Sequence, residues 1–82
     1  MIVDLKTNTV DGKKVMPRVC ELAWVMNEAG GRLKTPDVIA RMYGPNEPQD
    51  AQCALRQTAR LARLAGIPIS ATLGRGGEYR LG

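Results

Sequence analysis

With 82 residues the chain is long enough for one domain, 1–82, near the lower size at which a core holds together without staples. Histidine is absent, the two cysteines (Cys20 and Cys53) lack metal-type spacing, and no secretory signal opens the chain. The composition therefore points to a reduced, cytoplasmic protein with both thiols buried and with neither metal nor cofactor. No apolar run approaches the roughly 20 residues that cross a bilayer, so no membrane partner is expected, and the formal net charge is +4.

Residues 1–16 read as short strands. Ile2, Val3 and Leu5 form one apolar run and Thr7 to Val10 another. Asp11-Gly12 is a two-residue turn of the kind that favours a type I′ hairpin, returning through Lys13 to Val15. Such short strands need a helix layer to cover them. A first helix is expected over 17–29: Pro17 suits the first helical turn, where its missing N–H is harmless. Val19, Leu22, Ala23 and Met26 then recur at helical spacing, with Cys20 and Trp24 on the same side. Trp24 reads as a core anchor rather than a ligand-stacking ring, and Gly30 and Gly31 end the helix.

A second helix is expected over 35–43, with Thr35 as cap, Pro36 in the first position and Asp37 at the positive helix end. Val38, Ile39, Met42 and Tyr43 supply its buried side, and Gly44-Pro45 stops it. The third helix, 49–65, separates two chemistries. Ala51, Ala54, Leu55, Thr58, Leu61, Ala62 and Ala65 fall on one arc, while Gln49, Gln52, Arg56, Arg60 and Arg63 fall on the other. Asp50, in its first turn, suits the helix dipole.

The polar arc of that helix contains no carboxylate. A solvated face usually mixes signs, because opposite charges four apart add a few tenths of a kcal/mol, so an all-cationic face suggests an external anion. The charge distribution agrees. Residues 1–55 carry seven cations and seven anions, whereas residues 56–82 carry Arg56, Arg60, Arg63, Arg75 and Arg80 against Glu78 alone. Arginine suits bidentate phosphate and base contacts, and Arg and Gln have the forks that match guanine and adenine edges. After Gly66 the helical period gives way to alternation. Ile67, Ile69, Ala71 and Leu73 point one way and Pro68, Ser70 and Thr72 the other. Gly74-Arg75-Gly76-Gly77 turns the chain, and Tyr79 and Leu81 resume the apolar side of a hairpin spanning 67–82.

Short strands, three helices and a C-terminal hairpin, in that order, describe an α+β winged helix-turn-helix, in which the third helix enters the major groove and the hairpin is the wing. The residues resemble the winged-helix effector domain of OmpR/PhoB-type response regulators. Leu5-Lys6-Thr7-Asn8-Thr9-Val10 with Asp11-Gly12-Lys13 is similar to that family's N-terminal sheet, and Met16-Pro17-Arg18 with Glu21-Leu22 to the opening of its first helix. Gly31-Arg32-Leu33, Tyr43-Gly44 and Gly74-Arg75-Gly76-Gly77-Glu78-Tyr79-Arg80-Leu81 continue the likeness. It implies that Gln52, Arg56, Arg60 and Arg63 face DNA from the third helix, that Arg75 reaches the minor groove from the wing, and that a folded sheet lies under the helices. The second helix is one residue shorter than the family's, the wing turn one residue longer, and no receiver domain is expected.

The leading expectation is therefore sequence-specific binding of double-stranded DNA by a small transcriptional regulator, through Gln49, Gln52, Arg56, Arg60, Arg63 and Arg75. Arg56 and Arg60 would read bases and Arg75 would fix register. Two half-sites imply a homodimer or tandem binding on DNA, with the N-terminal sheet as the place of dimerisation by family analogy. The alternative is a winged-helix protein-interaction module whose arginine face meets an acidic partner. No base and nucleophile pair, metal cluster or cofactor loop stands out, so neither catalytic residues nor a small-molecule substrate are expected.

Overall fold

The computed structural model describes residues 1–72 and 77–82, and at its centre lies helix α1 (Pro17–Glu28), which buries Val19, Cys20, Leu22, Ala23, Val25 and Met26. Around it the described residues form an α+β fold of three α-helices and two three-stranded antiparallel sheets. Among these residues no helix is long and apolar enough to cross a membrane. Pro17 starts α1 directly after an extended Met16. Trp24, expected as a core anchor, is 40% exposed. At 100° per residue it lies about 140° round from Val19, past Cys20, on the arc that also carries Glu21 and Glu28.

The first sheet consists of β1 (Val3–Asp4), β2 (Thr9–Val10) and β3 (Lys13–Lys14), in that order. Asp11 and Gly12 have φ of 51° and 81°, as a type I′ loop requires, and Val10 faces Lys13 across it. Asp11 also ties down the N-terminus: its Oδ1 accepts from the Ile2 N–H at 2.8 Å, and its own N–H donates to the Ile2 carbonyl at 2.7 Å. The strands are shorter than the apolar runs suggest. Ile2 and Leu5 stay exposed, and the sheet meets the core through Val10, with Val3 and Val15 partly covered.

Cys20 fastens this sheet to α1. Its thiol donates to the Asp4 carbonyl at 3.4 Å and lies 3.8 Å from that of Thr9. Burial pushes its pKa above the ordinary 9.0, and the charges of Asp4 and Glu21 push the same way. Cys53, expected to be buried as well, is exposed.

The second sheet contains a strand that spacing does not announce. β4 (Arg32–Lys34) pairs with β6 (Glu78–Leu81), which pairs in turn with β5 (Ile69–Ala71), giving the order β4-β6-β5. Gly31 makes this docking possible. Its φ is +90°, its carbonyl accepts from the Leu81 N–H at 2.7 Å, and a Cβ there would stand 3.3 Å from the Leu81 oxygen.

Helix α2 (Thr35–Tyr43) buries Val38, Ile39 and Met42; Tyr43 is half-buried, with the Arg18 guanidinium 5.0 Å from its ring centre. Thr35 does not cap it. Lys34 holds the N-cap position, while Thr35 is the first helical residue and its hydroxyl donates to the Gly77 carbonyl at 3.0 Å. After a 3₁₀ turn (Gly44–Asn46), α3 (Ala51–Leu64) crosses α1 and completes the core.

Two outcomes follow from this packing. Gly31→Ala, which forces a side chain into a left-handed backbone against the Leu81 carbonyl, lowers stability by about 1–3 kcal/mol in urea unfolding. A maleimide probe modifies Cys53 in the native protein and reaches Cys20 only after denaturation, readable as one against two adducts by mass spectrometry.

Candidate functional site

Helix α3 is held by its inner face, where Ala51, Leu55, Thr58, Ala59 and Ala62 are buried. The alanines allow close approach to α1, and the Thr58 hydroxyl is satisfied by donating to the Ala54 carbonyl at 2.9 Å. Leu61, expected on this face, is 38% exposed; it lies about 240° round from Leu55, while Ala59, at about 40°, takes the buried place. Ala54 and Ala65, expected beside them, are half-buried.

The outer face meets the second sheet across a groove of about 560 Å³. Gln52, Ala59, Arg56, Arg60 and Arg63 form the α3 wall, Ala71, Thr72, Gly77 and Tyr79 the wall contributed by the hairpin, and Thr35 and Pro36 at the start of α2 close one side. Four of the expected binding residues are therefore brought together. Gln49 is not among them: α3 begins at Ala51 with Asp50 as N-cap, so Gln49 precedes the helix and lies outside the groove. Asp50 makes no side-chain capping bond. Arg75 and Leu73, expected on the hairpin, lie outside the described residues.

The cations of the C-terminal third do not act alike. Arg80 lies opposite Arg32 on neighbouring strands, a like-charged pair that would repel. Glu78 resolves it: Arg32 Nε donates to its Oε2 at 3.0 Å, and Arg80 donates to its Oε1 through Nη2 at 2.7 Å and Nε at 2.9 Å. By contrast, no carboxylate lies within ion-pair distance of Arg56, Arg60 or Arg63 among the described residues, whose ion pairs are Arg18 with Glu21 and Glu78 with Arg32 and Arg80. The three α3 arginines face the groove with their charge uncommitted.

Tyr79 forms part of the groove's floor. Burial pushes its phenol above the ordinary 10.0 while nearby Arg56 and Arg63 act in the opposite sense, so near neutral pH the ring presents a neutral hydroxyl. Alternation along the hairpin puts Tyr79 on its apolar side; that this side adjoins the arginines depends on how α3 packs, which no spacing carries. Thr35, Pro36 and Thr72 enter the lining for the same reason.

The arrangement suits binding of an extended anion through three guanidinium groups along one helical wall; the Thr35 and Thr72 hydroxyls opposite are engaged with the Gly77 and Glu78 carbonyls and shape the groove instead. Comparison of the chain with protein-family models, with curated proteins and with solved structures finds no significant match in any of the three.

The hydrogen bonds from Arg32 and then Arg80 hold the Glu78 carboxyl below its ordinary 4.5. A carboxylate depressed on folding stabilises the native state above its unfolded pKa, and that contribution fades as pH falls through the folded value. Glu78→Gln therefore lowers the melting temperature at pH 7, and the gap from the parent narrows as pH drops below 4.5, as thermal melts across pH 7 to 3 record.

Proposed function

We propose that this chain is a winged helix-turn-helix domain, of the kind found in OmpR/PhoB-type effector domains, that binds double-stranded DNA as a small transcriptional regulator. In this reading α3 is the recognition helix and the β5–β6 hairpin is the wing. The observation that carries it is the convergence of Arg56, Arg60 and Arg63 on one open groove with no carboxylate in reach among the described residues. A duplex presents a negative charge about every 1.7 Å, which a helix bearing three such groups over two turns can track. The order of strands and helices supports the same assignment, since α2 precedes α3, the two pack against each other and the hairpin follows α3. One recognition helix spans few base pairs, so two copies on adjacent half-sites supply a usable specificity.

A gel shift with random duplex at low salt tests the reading. The protein retards DNA at micromolar concentration; replacing Arg56, Arg60 and Arg63 together by alanine removes the shift in 150 mM salt and reduces the slope of log K against log salt by about three. Absence of any shift by the parent protein at low salt overturns DNA binding and leaves an acidic protein partner as the reading to pursue.

A further inference from the structure

The outward side of α3 is not one surface. Measured around the helix from Leu55, which is wholly buried, Arg63 and Arg56 stand at about 80° and 100°, on the flank that turns toward the hairpin. Both line the groove, and both act on the buried Tyr79 phenol from that side. Arg60 follows at about 140° and still lines the groove. Cys53 and Gln57, at about 160° and 200°, occupy the crown of the helix, the arc farthest from the core. Both are exposed and outside the groove. Among the described residues the Gln57 amide makes no side-chain hydrogen bond, and the residue is exposed.

Resting on the DNA-binding reading above, we propose that Gln57 is the base-reading residue of α3 and recognises adenine, while Arg56 and Arg63 grip the sugar-phosphate backbone that runs between helix and hairpin. A helix seated in the major groove presents its crown to the base edges and its flanks to the walls, where the phosphates lie. The carboxamide of glutamine supplies the donor and acceptor that match adenine N7 and N6. Toward the C-terminus the crown turns apolar at Leu64, about 180° round from Leu55 and 74% exposed, which confines crown readout to the first turns of α3, the part of such helices that reaches the bases. This assignment reverses the order of roles that arginine content alone suggests.

Selection of bound sites from a random duplex pool, followed by titration of each base at each position, tests it for the parent, Gln57→Ala and Arg56→Ala, with circular dichroism confirming that each is folded. The parent prefers A·T at one position by about 5- to 150-fold. Gln57→Ala abolishes that preference and leaves binding to random duplex within about two-fold, whereas Arg56→Ala weakens selected and random duplex alike. The assignment is overturned if Gln57→Ala keeps the parent's preferences, or if the preference disappears in Arg56→Ala instead. A parent that retards no duplex at all refutes the DNA-binding reading itself, so the two failures are told apart.

Discussion

The groove beside α3 exists because β6 is held from both edges at once. Its registry with β4 on one side and β5 on the other leaves Tyr79 no choice but to enter the floor, and sends Glu78 and Arg80 to the opposite surface. That opposite surface would be self-repelling without Glu78, because the pairing sets Arg32 directly against Arg80. One carboxylate shared by two guanidinium groups relieves that repulsion, and the backbone-paired sheet is the wall against which the α3 arginines stand.

The same economy governs α3. Its inward residues are mostly alanine with a single leucine, so it contributes little apolar bulk and relies on intimate contact with α1. Small inward side chains bring the axis close to the core, and the long arginine and glutamine side chains remain free to extend outward. The net charge of the molecule thus divides into cations spent on holding strands together and cations held in reserve. Arg32 and Arg80 belong to the first group, and Arg56, Arg60 and Arg63 to the second, while Arg18 pairs with Glu21 within α1.

Much of this was legible in the residues. Pro17 and Pro36 mark helix starts because their geometry fits nowhere else in a helix, Asp11-Gly12 marks a turn because both positions need positive φ, and the acid-free arc of α3 marks the cationic wall. What could not be read depends on distant partners. β4 has only three residues, two of them charged, and becomes a strand through β6, 46 positions away. Trp24 and Leu61 lie near the borders of their helical arcs, where burial is decided by the neighbour's position rather than by the helix's own period, whereas Cys53 stands on the arc of α3 farthest from the core, against the usual preference of a thiol for burial. Thr35 has the chemistry of a cap, yet its hydroxyl is claimed by Gly77, a residue that local sequence cannot bring into view.

That claim has a mechanical meaning. The Gly77 carbonyl accepts both the backbone N–H and the hydroxyl of Thr35, each at 3.0 Å. The residue that opens into β6 and the first turn of α2 are therefore riveted at one atom. A pull on the hairpin must either shear two hydrogen bonds together or swing α2 with it. Force applied at the sheet is thereby delivered to the first turn of α2 instead of being lost in a loose loop.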